Sequence, residues 1–146
     1  IQGDLYYILY KMIKRFFELQ EKVLNYLPKA NTELLKKAYS VAADAHMNQT
    51  RADKEAYISH PLSVAGILAD MKLDEISIAA ALLHDVVEDT DYTIEDINSL
   101  FGKEVGGIVW GVTKISKISD LDAENAQAET LKKIIIAMTT STTPSE

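Results

Sequence analysis

An all-α helical bundle is the fold that this sequence predicts, on three observations. Apolar residues recur at helical spacing in several long segments, and no stretch of useful length alternates with period two. Capping and stop residues fall where those helical patterns begin and end. The run from Ala79 to Val87 is apolar on nearly every face but for one His-Asp pair, which marks a helix enclosed by others.

Residues 4 to 27 carry Leu5, Ile8, Leu9, Met12, Phe16, Leu19, Val23 and Leu27 at helical spacing with Lys and Glu largely between them, so an amphipathic helix is expected there, ended by Pro28. Asn31 or Thr32 then caps a second helix reaching about Met47, with Leu34, Leu35, Ala38, Ala42 and Ala45 along its inward stripe. Residues 48 to 58 lack a helical period and read as a loop, a kind of segment that often carries function. Pro61 suits the first turn of the next helix, which continues through Leu62, Ala65, Leu68 and Met71 and leaves His60 at its mouth.

Asp74 caps the apolar helix that bears His84 and Asp85. Thr93, followed three residues later by Asp96, resembles a capping box and opens a short helix to Phe101, which Gly102 terminates. Further helices are expected over roughly 103 to 110 and from Asp122 to Met138. The domain is therefore expected to span 1 to 138, with the polar residues 139 to 146 forming a disordered or non-native tail.

Composition narrows the function. The chain has 146 residues, 47% of them hydrophobic, enough for one domain with a real core. It has no cysteine, which leaves His, Asp and Glu as candidate metal ligands and excludes thiol nucleophiles. Neither a signal peptide nor an apolar span of membrane length is found, so a soluble cytoplasmic setting is expected. The chain opens on Ile1 inside a helical pattern, which reads as a piece of something longer. The formal charge of −7 is concentrated in residues 74 to 96, where eight acids and no Lys or Arg lie around the His-Asp pair. Such a field repels nucleic acid and attracts cations.

The chemistry centres on His84-Asp85. A charge inside an apolar helix costs several kcal/mol unless something compensates it, and a divalent cation is the partner inferred here. On a continuous helix His84 lies under Glu88 and Asp85 under Asp89. His60 offers a second imidazole, giving a mixed nitrogen and oxygen set suited to Mn, Fe or Zn. Such a site supports phosphoester or pyrophosphate hydrolysis, with Glu88 or Asp89 orienting a water or handling its proton. Arg51 is the nearest guanidinium by sequence. Taken singly, Arg51 reads as a solvated loop charge, His46 as a structural or helix-terminal residue and Trp110 as packing.

These residues resemble the hydrolase domain of the RelA/SpoT family, within the HD superfamily of metal-dependent phosphohydrolases. The matching stretches are Ala45-His46, Gln49, Arg51, Glu55, Tyr57-Ile58, His60-Pro61, the run Ala80 to Thr90, Phe101-Gly102, Gly111 to Lys114, Ala123-Glu124 and Ala137-Met138. The resemblance implies an HD-type helical bundle that uses Mn2+ to remove pyrophosphate from the 3′ position of the guanosine polyphosphate alarmone (p)ppGpp, yielding GDP or GTP. It implies metal ligation by His60, His84 and Asp85, hydrolytic roles for Glu88 and Asp89, and stacking of Arg51 on guanine. A C-terminal synthetase domain in the full-length protein is the further partner it implies. Two departures stand out. The family loop Arg-Lys-Ser-Gly-Glu-Pro-Tyr is here Arg51-Ala52-Asp53-Lys54-Glu55-Ala56-Tyr57, and the family's fourth ligand, an Asp in an Ala-Asp-Arg-Leu-His-Asn segment, has no match. Two other readings stay open: a catalytically silent domain that binds the alarmone or a partner, and an HD phosphohydrolase of another nucleotide.

Overall fold

In a computed structural model of the chain, the residues described are 2 to 47, 54 to 118 and 126 to 140. They form eight helical segments and no strand. α1 (Gln2–Tyr26) buries Met12, Phe16, Leu19 and Val23, one face of the predicted amphipathic pattern. Its end is tied down where the Tyr26 hydroxyl donates to the Leu73 carbonyl at 2.6 Å. α2 (Thr32–Met47) starts where the Asn31 side chain accepts from the Leu34 amide, and it buries Leu35, Ala38, Ala42 and Ala45.

α3 (Lys54–Asp70) differs from the expected element. It begins six residues before His60, so residues 54 to 58 are helical rather than loop, and Pro61 lies inside the helix rather than at its first turn. Proline removes one intrahelical hydrogen bond and crowds the preceding turn. Here the residue is buried, and its neighbours Leu62, Val64, Ala65 and Leu68 are buried with it, so tertiary packing carries the helix across the defect. The weak helical period before Pro61 gave no sign of this.

α4 (Glu75–Leu83) is the enclosed helix: every residue from Ser77 to Leu83 is buried, and the helix packs against α2, α3 and the long helix over residues 103 to 118. Asp74 accepts from the Ser77 amide at 3.0 Å, the expected N-cap. The expected continuous helix is interrupted at His84-Asp85, and a single turn, α5 (Val86–Asp89), follows. α6 (Ile94–Phe101) opens on the reciprocal Thr93-Asp96 capping box and closes at Gly102, whose φ of 94° is a conformation few side-chain-bearing residues adopt.

α7 (Lys103–Ile118) runs two turns beyond its expected end, and α8 (Ala126–Thr140) extends two residues past Met138. The Thr139 and Thr140 hydroxyls both donate back to the Ile136 carbonyl. α8 lies against α7 so closely that a Cβ on Gly111 would come within 2.8 Å of the Ala137 Cβ. Glycine at 111 therefore sets the spacing of this helix pair. Among the described residues, no helix is long and apolar enough to cross a membrane.

Loss of the α4 cap isolates one local contribution. Asp74→Ala is expected to lower unfolding stability by about 1 kcal/mol in urea titrations, with the denaturant slope unchanged. An unaltered midpoint would show that the cap contributes nothing.

Candidate functional site

The break between α4 and α5 has a cause in the His84 side chain. In an uninterrupted helix the Ala81 carbonyl would accept from the Asp85 amide. Here His84 occupies that oxygen twice, through its ring Nδ1 at 2.7 Å and through its own amide at 3.4 Å. The regular ladder resumes one turn on, where the Asp89 amide donates to Asp85 and the Thr90 amide to Val86. His84 and Asp85 are thus set in a turn at the end of a buried helix, not along one continuous face with Glu88 and Asp89.

A carbonyl can only accept, so Nδ1 carries the hydrogen in that 2.7 Å bond. Neutral His84 is then left with a lone pair on Nε2. That atom is buried with no hydrogen-bond partner, yet it lies 3.0 Å from Asp85 Oδ2. The contact is close but not aligned as a hydrogen bond. Two electron-rich atoms this close call for positive charge between or upon them.

His60, from α3, meets His84 edge-on with ring centroids 5.1 Å apart. One ligand atom from each of His60, His84 and Asp85 lies within 4.8 Å of the others. Thr130 of α8 sits beside the same imidazole, with Oγ1 3.4 Å from His60 Nε2. The structure therefore brings together the three residues that sequence reasoning singled out, on α3 and the turn between α4 and α5.

Electrostatics agree with a centre short of positive charge. Burial acts to lower the pKa of His84, but the Asp85 charge and contact, the Ala81 carbonyl and Glu88 outweigh it and hold the imidazole above its ordinary value. Burial and then the His84 charge lower His60, against a smaller opposing pull from Asp85. For Asp85, burial works upward, and His84, His60 and His46 together overcome it and keep the carboxyl below the usual aspartate range.

Glu88 sits on α5 with one side exposed, and Asp89 beside it is half-buried. Partial burial raises the Glu88 pKa, with Asp85 and Asp89 adding to it and a Ser116 hydrogen bond and the Lys133 charge opposing it. Arg51, expected to meet the base, lies outside the described residues.

Three residues near this centre escaped sequence reasoning. Ser116 on α7 and Thr130 and Lys133 on α8 arrive only through the packing of the last two helices. His46, read as a structural or terminal residue, is buried in the last turn of α2, close enough for its charge to act on Asp85. The signal available for His46 was its position one turn from the end of an apolar helix stripe, which by itself does not distinguish a site from packing.

The donor set fits a bound divalent cation: two imidazoles and a carboxylate converge, and one buried imidazole nitrogen faces the cluster with its lone pair. Such a set binds metal and, with Glu88 alongside, can manage a proton.

Comparison with known proteins agrees with this arrangement. The sequence profile of the HD domain matches residues 38 to 141. The bifunctional (p)ppGpp synthase/hydrolase SpoT of Escherichia coli K12 is 50% identical over 123 residues, covering 84% of this chain and 18% of that protein. The same identity is found to the guanosine-3′,5′-bis(diphosphate) 3′-pyrophosphohydrolase of Escherichia coli O157:H7. The GTP pyrophosphokinase rsh of Brucella melitensis is 48% identical over 124 residues, or 85% of this chain and 16% of that one. The chain thus spans under a fifth of the length of these relatives.

Histidine titration followed by NMR in the metal-free chain is expected to split the two imidazoles, His84 above about 6.5 and His60 below it. Because Asp85 is what lifts His84 against burial, Asp85→Asn is expected to bring the His84 midpoint below 6.5 as well. An unmoved midpoint would remove Asp85 as the source of the lift.

Proposed function

Since the chain belongs to the HD domain family, we propose that it is the hydrolase part of a guanosine polyphosphate enzyme, removing pyrophosphate from the 3′ position of (p)ppGpp to leave GDP or GTP. The observation that carries this reading is His84 Nε2, a buried nitrogen held lone pair inward against Asp85 and His60. The names of relatives about 50% identical over this region supply the substrate class.

In this reading His60, His84 and Asp85 hold a divalent ion, with manganese the choice that the family resemblance favours. When bound, the ion would acidify a water and withdraw charge from phosphoryl oxygens. Glu88 takes the proton of the attacking water, a task for which a carboxyl lifted above its ordinary value is suited near neutral pH. The water oxygen bonds to the phosphorus nearest the ribose as the bond from that phosphorus to the 3′ oxygen breaks. The 3′ oxygen receives a proton, and pyrophosphate leaves. Asp89 is the second acid assigned to this step, and Arg51 the residue assigned to the guanine base.

Lys133 supplies a cation that sequence order hid. It approaches from α8 and eases the problem of bringing a polyphosphate into an acidic region. Relatives several times longer, named for synthesis as well as hydrolysis, support reading the native protein as carrying a synthetase region. A second reading, a silent domain that binds the alarmone without cleaving it, is favoured by one observation. Only three ligand residues converge among those described, where the family resemblance implies four.

The test is incubation of the chain with ppGpp and Mn2+, followed by chromatography. Release of GDP and pyrophosphate supports the hydrolase, and binding without release supports the silent domain. His84→Ala is expected to abolish Mn2+ uptake in calorimetry, and unchanged stoichiometry would remove His84 from the site. Glu88→Gln is expected to keep uptake and fold while slowing hydrolysis about 100-fold or more. Equal rates in that variant would reject the proton-transfer role.

A further inference from the structure

α1 carries two apolar stripes of the same period. Met12, Phe16, Leu19 and Val23 form the stripe buried against the bundle. Tyr6, Tyr10, Ile13 and Phe17 repeat its four-three-four spacing roughly a third of a turn round the helix, and all four are exposed, the two tyrosines by 64% and 63%. An open groove runs along this second stripe, lined by Tyr10, Ile13 and Phe17 together with Lys14 and Glu21. A contiguous apolar patch rimmed by charge is the mark of a contact surface rather than of ordinary solvated helix.

We propose that the outer face of α1 docks a second copy of this chain, the two α1 helices packing antiparallel about a twofold axis beside Phe17 and Glu18. The spacing is that of a coiled-coil seam, with Tyr6 and Ile13 at one core position and Tyr10 and Phe17 at the other. Charge selects both the occupant and its direction. Lys14 and Glu21 lie seven residues apart, so they flank the seam on the same side. Neither takes part in an ion pair or a side-chain hydrogen bond among the described residues, whereas Lys22 is tied to Asp70 of α3 at 2.7 Å. About the stated axis, Lys14 of one copy falls opposite Glu21 of the other and Glu21 opposite Lys14, so a single opposite-charge contact is made twice. A parallel pair would set this rim against the other flank of the seam. That flank holds Leu9, Phe16 and Val23, apolar residues of which the last two are buried in the bundle.

The face also sets the strength of the association. A covered aromatic side chain buries about 150–250 Å2, so three exposed rings and Ile13 supply on the order of 400 Å2 per copy, about half of what a stable interface takes from each partner. The dimer is therefore a weak one that forms with concentration.

The test is sedimentation equilibrium of the whole chain from about 10 µM to about 1 mM, with circular dichroism checking the fold of each variant. The dimer fraction is expected to rise across this range, with a Kd on the order of 0.1 mM. Phe17→Glu is expected to leave only monomer, and Leu100→Glu, at an exposed apolar residue of α6, to leave the equilibrium unchanged. Should Phe17→Glu fail to fold, Tyr10→Glu at a more exposed ring replaces it. Lys14→Glu and Glu21→Lys are each expected to raise Kd roughly tenfold, because each sets like charges opposite one another twice. Mixed in equal amounts, these two variants are expected to associate as tightly as the unaltered chain, since every contact across the axis is again between opposite charges. A chain that stays monomeric throughout, or that dimerises undiminished in Phe17→Glu, overturns the proposal. A mixture that associates no more tightly than its two components overturns the antiparallel pairing.

Discussion

One hydrogen bond organises the centre of this molecule, from the ring Nδ1 of His84 to the carbonyl of Ala81, one turn back. It takes the oxygen that the helix would otherwise give to the Asp85 amide, and so ends α4 at the one place where a buried helix meets its acidic partners. The same bond settles which ring nitrogen bears hydrogen, and so leaves the other as a ligand or a base. A packing element and a chemical one are here a single interaction. The apolar residues of α4 hold it in place: Ile78 to Leu83 are all enclosed, and moving the ring would mean moving that helix within α2, α3 and α7.

The electrostatics follow from that constraint. A lone pair fixed against a carboxylate in a buried site is tolerable only with positive charge present, and in the metal-free state a proton on His84 is the available source. A divalent cation can take the place of that proton. Asp85, Glu88 and Asp89, in a segment from 74 to 96 that holds no Lys or Arg, draw cations toward the C-terminal end of α4. The balancing cation arrives from α8, as Lys133.

Much of this was legible in the sequence, and the exceptions have physical reasons. The caps at Asp74, Thr93 and Gly102 could be read directly because each rests on local backbone chemistry. The trio His60, His84 and Asp85 could be read because ionisable residues in an apolar setting are costly. The start of α3 was missed because Pro61 normally marks a first turn, and only tertiary burial shows that this helix runs through it. The break at His84 was missed because periodicity cannot register a side chain competing for a backbone carbonyl. Ser116, Thr130 and Lys133 were missed because helix pairing, not spacing along the chain, brings them to the site.

The most direct measurement is pulsed electron paramagnetic resonance of the chain loaded with Mn2+. The account predicts couplings from two histidine nitrogens, with one lost in His60→Ala and the other retained. A bound ion showing oxygen ligands alone would contradict it, and would return His84 to the role of a buried structural residue.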